Sequence, residues 1–365
     1  MALTFLLIFV GGHTTTAGAG MAFPDWPLSG GSVNPNQWWN DVFQRLEHGH
    51  RLIASLVGIS VAVLCAGVWG RLWAVAASVT VGFFVAVLAK LAGFPGLIAH
   101  GALWGTVASF VLFLTFQGFS SVAVSDSRVR VLSLLAFVGV CVQAVLGGLR
   151  VTIESGGSPG VALVFRVIHG CFAQVELSLL VAVAVMLSSS YPKINADPVL
   201  RPVRKWLFVV LCALFVQLAL GAAMRHRGAG LAISSFPAAN PGGGWLPALH
   251  TADVDLNYAH TRVGALIVAG GVVWVLLRLI VSAGGQRGLR RWAVCGLGLL
   301  FVQVGLGVSI IWYLRPLVPT TFHVLNGAAL VAVFVLLTVR VSRSCRLVGD
   351  TDGVTERRMA DGFGG

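Results

Sequence analysis

Four histidines, His50, His169, His260 and His323, stand at the mouths of four different apolar segments. Histidine is rare in membrane helices, and one that does occur usually faces a bundle interior and does work. A porphyrin iron needs axial ligands on opposite faces of a flat ring. Two histidines on one helix face cannot supply that; two from facing helices can. Four histidines with a shared placement therefore point to two haem sites side by side, with His50 paired to His169 and His260 to His323. Taken singly, each would read as an interfacial polar residue; their matched placement reverses that reading.

The neighbours of the two pairs differ. The first reads Glu47-His48-Gly49-His50-Arg51, and the second reads Asn257-Tyr258-Ala259-His260-Thr261-Arg262. Glu47 and His50 are three apart and share a helix face. Asn257 stands where Glu47 stands. A carboxylate beside an iron can accept a proton or stabilise developing positive charge; an amide cannot do the first. Chemistry is expected in the first half, and a structural or electron-transfer haem in the second. Glu47 is also four residues from Arg51, so a plain ion pair is the competing reading. Arg51 and Arg262 are candidate partners for haem propionates, since guanidinium suits carboxylates.

The elements that position these residues are membrane helices. Hydrophobic residues make up 57% of the 365 and charged residues 10%, against about 25% charged in a soluble domain. Apolar runs long enough to span about 30 Å of hydrocarbon fall near 52–70, 72–93, 98–118, 130–149, 165–188, 206–224, 263–282, 292–313 and 322–340. A shorter one near 2–17 is read as a first helix cut short at its start, rather than a signal peptide, because no basic segment precedes it. About ten transmembrane helices result. The runs lack the alternation of barrel strands, which leaves helices as the structure that satisfies its backbone in lipid.

The net charge of +12 is a topology signal, not a nucleic-acid footprint. Lys193, Arg201, Arg204 and Lys205 share one loop, Arg278, Arg287, Arg290 and Arg291 flank another, and Arg340, Arg343, Arg346, Arg357 and Arg358 lie in or beside the C-terminal tail. The positive-inside rule makes that side cytoplasmic, places both termini there, and puts the histidines toward the outer face. The basic balance also suits anionic membrane lipid. Of the six cysteines, five lie inside apolar runs and Cys345 lies in the inner tail. They read as small core residues with no disulfide framework. Cys171, two residues from His169, is the one to watch. His13, His48, His100, His226 and His250 lack matched positions and read as loop, interface or packing residues.

The chain repeats itself. Val142-Gln143-Ala144-Val145-Leu146-Gly147 is echoed by Val216-Gln217-Leu218-Ala219-Leu220-Gly221 and by Val302-Gln303-Val304-Gly305-Leu306-Gly307. Gly18-Ala19-Gly20-Met21-Ala22, leading to Phe23-Pro24, is echoed by Gly228-Ala229-Gly230-Leu231-Ala232, leading to Phe236-Pro237. The fold expected is an all-α polytopic membrane protein of two duplicated four-helix bundles, an eight-helix core, plus an inserted helical hairpin near 72–118 that turns at Phe94-Pro95-Gly96. Sites often lie at or between such repeats. The expected divisions are 1–190 for the N-terminal half with the hairpin, 191–345 for the C-terminal half, and 346–365 for a cytoplasmic tail.

At these residues the chain resembles the heme A synthase family of cytochrome oxidase biogenesis. The motifs are Gly18-Ala19-Gly20-Met21-Ala22, Pro24-Asp25-Trp26-Pro27, Glu47-His48-Gly49-His50-Arg51, His169-Gly170-Cys171-Phe172-Ala173-Gln174, and the later His260 and His323. The resemblance implies oxidation of a ring methyl of haem O to a formyl group, giving haem A. It implies that His50 and His169 flank the substrate haem, that Glu47 assists removal of electrons and protons, and that His260 and His323 ligate haem b. Without a cysteine pair in the first outer loop, the chain looks like the branch that omits one. Implied partners are haem O synthase, an unidentified electron-transfer partner and a possible homo-oligomer, with no nucleic acid. A bacterial inner membrane is expected, as no Arg-rich transit segment is present. The chain departs from the family pattern at the hairpin, at Thr261 between His260 and Arg262, and at the short first run. The competing reading is a di-haem b-type membrane electron-transfer protein, such as a quinol-linked cytochrome b. A transporter is weakened by the scarcity of buried charge.

Overall fold

The computed structural model describes residues 1–93, 95–115 and 124–362, with side chains described as far as Val348 apart from a few at the hairpin turn. It is an all-α polytopic membrane protein. In chain order the helices are α1 (Ala2–Thr16), α2 (Val42–Val68), α3 (Trp73–Leu91), α4 (Pro95–Thr115), α5 (Ser127–Ser155), α6 (Pro159–Leu187), α7 (Arg201–His226), α8 (Ala252–Tyr258), α9 (Ala265–Ser282), α10 (Arg287–Trp312) and α11 (Leu317–Gly362). A π-helical stretch, Ala259–Gly264, joins α8 to α9 without a break. Seven of these helical segments are long and apolar enough to cross a membrane; α1, Trp73–Ala89 and His100–Leu114 are shorter apolar helices.

Each apolar run of the sequence falls on a helix, but several helices begin well before their runs. The polar residues ahead of the runs are helical too, and at two of the helices a side-chain cap marks the early start. Asp41 accepts the Gln44 N–H at the head of α2, and Thr251 accepts the Val254 N–H at the head of α8. The four histidines therefore lie inside helices rather than opening them. α11 runs past 346, the start of the expected tail, to Gly362. The hairpin turn at Phe94, the hairpin's end near 118, and the side chains of Arg357 and Arg358 lie outside what is described.

Large apolar side chains point outward along the helices. Val281 and Phe301 are each 82% exposed, a cost in water that only a lipid surface removes. The chain divides into two compact units, Met1–Val183 and Ala184–Gly365. In the first, Val57, Val61 and Cys65 of α2, Phe110 and Leu114 of α4, and Phe137 of α5 form one buried cluster. The α3–α4 hairpin thus packs onto the core of the first unit. Its two helices approach closely at Gly82, where a Cβ would strike Thr106. In the second unit, the basic end of α11 is anchored to the segment before α7: Arg340 donates to the Ser190 hydroxyl, Arg346 to the Tyr191 hydroxyl, and Ser344 to the Asn195 carbonyl.

Candidate haem-binding sites

Each of the four histidine rings lies against a glycine of a neighbouring helix. A Cβ built on Gly11 of α1 would come 2.8 Å from Cε1 of His50 on α2, and one on Gly147 of α5 would come 3.1 Å from Cε1 of His169 on α6. In the second unit a Cβ on Gly221 of α7 would come 2.6 Å from Cε1 of His260, and one on Gly307 of α10 would come 3.3 Å from Cε1 of His323 on α11. The missing side chain is what lets a ring lie flat on the facing backbone. Three of these glycines end the repeated six-residue motif. The repeat thus supplies the cradle for a histidine on another helix, a use that its sequence alone does not reveal.

The glutamine of the same motif makes the second contact. One turn before each glycine, Gln143 donates to the His169 carbonyl at 2.9 Å and meets its Nε2 at 3.4 Å. Gln217 donates to the His260 carbonyl at 2.8 Å, and Gln303 meets Nε2 of His323 at 3.2 Å. In α1 the matching position, four residues before Gly11, is Leu7.

Near Glu47 the α1–α2 loop folds down onto α2. Glu47 is 2% exposed. Its Oε2 accepts the Phe23 N–H at 3.0 Å and its Oε1 accepts from Arg51 at 2.6 Å. Arg51 also donates to the carbonyls of Phe23, Asp25 and Leu28 and lies over the Phe23 ring. The ion pair weighed as a competing reading for Glu47 is therefore present, and it is part of a larger knot. Asp25 closes the loop by accepting the N–H groups of Gly30 and Gly31 at 2.7 and 2.8 Å. Trp26 lies on Gly148 of α5, with the nearest ring atom 2.5 Å from a built Cβ, and its ring is 5.7 Å from His100 on the hairpin. His48 is buried under the same loop, on Ser29 at 3.0 Å and against Trp38.

The second unit builds the same knot without a carboxylate. Asn257 is fully buried and donates to the Ala229 carbonyl at 2.8 Å, while its Oδ1 accepts from Thr261 at 3.2 Å. Arg262, 1% exposed, donates to the carbonyls of Ser235 and Ala238 and lies over the Phe236 ring. The extra residue, Thr261, is absorbed by the π-helical stretch Ala259–Gly264. A π-turn holds one residue more than an α-turn, and such bulges cluster at functional sites. The insertion therefore moves Arg262 from four to five residues after Asn257 yet leaves it beside that amide.

These residues suit haem. Nδ1 of His50, of His260 and of His323 is buried with no hydrogen-bond partner. A buried polar atom in that state is costly unless something else binds it. Among the described residues no three His, Cys, Asp or Glu side chains gather into a metal cluster. A metal held by these histidines would have to bring its own remaining ligands, as a porphyrin does. Both guanidiniums expected at propionates, Arg51 and Arg262, are turned toward their own loops. Arg150 of α5, which donates to the Gly20 carbonyl at 2.9 Å, is a further cation at the first site.

One feature below the first site has no counterpart in the second. Glu176 lies two turns along α6 from His169 and faces Gly139 on α5. It is 4% exposed and neither carboxylate oxygen has a hydrogen-bond partner. Asn326, one turn after His323, instead ties off the second site by donating to Gln303 Oε1 at 2.7 Å. The corresponding residue after His169 is Phe172, and Gln143 Oε1 is left buried without a partner.

The family model described as COX15-CtaA, cytochrome oxidase assembly protein, matches residues 99–335. A heme A synthase of Methylobacterium nodulans is 24% identical over 341 residues, covering 87% of this chain and 82% of its own length. One from Symbiobacterium thermophilum is 26% identical, covering 84% and 81%. One from Alkalihalophilus pseudofirmus is 24% identical, covering 93% of both.

Proposed function

Because this chain belongs to the COX15-CtaA family of cytochrome oxidase assembly proteins, we propose that it is a membrane heme A synthase, an oxidoreductase that converts the ring methyl of haem O to the formyl of haem A. His50 and His169 would hold the substrate haem, and His260 and His323 a resident haem b. In this reading the chain is duplicated, with a half around each pair, and both sites lie toward the outer face of a bacterial inner membrane. The observation that carries the division of labour is the pair of matched knots. Both fix a loop to the histidine helix through an arginine, Arg51 half-buried and Arg262 buried, but only the first contains a carboxylate, Glu47.

The bound haem iron supplies the redox chemistry; the chain's own residues position, desolvate and take up protons. The glycine cradles set the histidine rings against their neighbouring helices. The Phe23 N–H and Arg51 fix the Glu47 carboxylate, so it meets the substrate in one orientation and out of bulk water. As the methyl carbon loses electrons and protons, Glu47 is the group placed to accept a proton. Asn257, in the same place in the second unit, can hold its loop but cannot take up a proton. That difference disfavours two equivalent electron-transfer haems. Electrons would leave to a partner, and substrate would arrive from haem O synthase.

The test is to extract the pigments of the purified protein after co-expression with haem O synthase and separate them by mass. Haem A or haem O together with haem b is the expected result. Two equivalents of haem b, with no haem A formed, would make the chain an electron carrier instead.

A further inference from the structure

We propose that the two ligands of the first site differ in permanence: Gln143 holds His169 as the fixed ligand, while His50, whose neighbouring helix has Leu7 at the glutamine position, is the ligand that releases when the haem substrate enters and its product leaves. The inference rests on the reading above, in which the first site turns over a haem rather than keeping one.

The structural basis is a fourfold pattern broken once. Four histidines lie on four glycines, at Gly11, Gly147, Gly221 and Gly307. One helical turn before the glycine, three of the four neighbouring helices carry a glutamine that bonds the histidine's carbonyl or ring. A side-chain amide offers both a donor and an acceptor, so it suits the task in either protonation state of the ring. At His50 the position is Leu7, which packs against the apolar core of the first unit and has nothing to bond with.

A haem that is substrate and product must leave, and the histidines that would hold it must then let go. Partners that orient a metal-binding histidine typically change affinity by about tenfold or more. The bond without such support is the one that opens first. Both ligands of the second site have a glutamine, as expected for a haem that stays. Gln143, Gln217 and Gln303 are positioning residues in this account, since they act through the histidines.

The experiment uses the full-length protein loaded with added hemin, so that it needs no turnover. Loaded protein is mixed with excess apomyoglobin, and transfer of haem is followed by absorbance. Two phases are expected, a fast one from the first site and a slow one from the second. Leu7→Gln should slow the fast phase about three- to tenfold, the equivalent of one net hydrogen bond, while Leu7→Met should leave it unchanged. Because Leu7 is packed in the core, Gln143→Leu supplies a second arm: it should speed the fast phase and leave the slow one alone. Gln303→Leu should speed only the slow phase. Equal fast phases in Leu7→Gln and Leu7→Met, or a fast phase indifferent to Gln143→Leu, would overturn the assignment. Rates that respond as described in a chain that makes no haem A would sink the synthase reading and keep the inequality of the ligands. Haem A formation with unresponsive rates would do the reverse.

Discussion

The two loop-to-helix knots are built to one plan and differ at one position, a carboxylate in the first and an amide in the second. In the first unit a carboxylate, Glu47, receives a backbone N–H and a guanidinium; in the second an amide, Asn257, donates to a backbone carbonyl and receives Thr261 and Arg262. Both arrangements satisfy a buried polar side chain, so both are structurally sufficient. A fold that needed only to pin its loop could use either. The first unit keeps a carboxylate at 2% exposure where the second keeps an amide, and the proposed function gives that carboxylate a use beyond the pin. The surroundings differ as well. In the second unit Gln303 is tied to Asn326, while Gln217 Oε1 has no partner. The first keeps Gln143 Oε1 and the whole Glu176 carboxylate unpartnered.

The comparison can be broken most directly at Glu47. Glu47→Gln makes the first knot resemble the second. Haem A formation should fall by about 10²-fold or more, the usual worth of a positioned acid or base, while extracted pigment shows haem still bound. Turnover near the unchanged level would reduce Glu47 to a structural pin.

Filling the glycine cradles with alanine is next in size and should rank the four sites by their clearance. Gly221→Ala, at 2.6 Å from the His260 ring, should cost most, followed by Gly11→Ala, Gly147→Ala and Gly307→Ala at 3.3 Å. Overpacking costs about 1–3 kcal/mol at the tight end. At Gly307 the helix-propensity gain of about 0.8–1 kcal/mol for replacing glycine should nearly cancel it. Haem content per polypeptide and the thermal midpoint in detergent measure the order. A flat series would show that the rings do not need their glycines.

The smallest effect separates the regions beneath the two sites. Glu176→Leu removes a buried carboxylate that has no hydrogen-bond partner. It should raise the thermal midpoint, since such a group costs about 1–3 kcal/mol, and leave haem content unchanged. A drop in the midpoint would mean that the carboxylate holds the α5–α6 packing together at Gly139.

Much of this was legible in the sequence for a physical reason. Apolar length is a local property, so the helices could be placed from runs of residues, and the four histidines stood out because polar groups are rare there. Asn257 could be matched to Glu47 from spacing alone. Thr261 looked like a departure because spacing counts residues and not turns; a π-turn absorbs the extra one without moving Arg262 away. The six-residue repeat was visible, yet its purpose was not, because a glutamine and a glycine on one helix have meaning only against the histidine of another. Glu176 was passed over in an apolar run, since nothing local says whether a carboxylate is paired.

By itself, then, the sequence determined that this is a membrane helix bundle with four histidines in matched places and with different neighbours, because hydrophobicity and spacing act along the chain. The tertiary structure decided which groups meet between distant segments: Glu47 with the Phe23 N–H, each histidine with its glycine, and three of the four with a glutamine. Those contacts depend on which helix faces are brought together, and that is set by packing between segments distant in sequence.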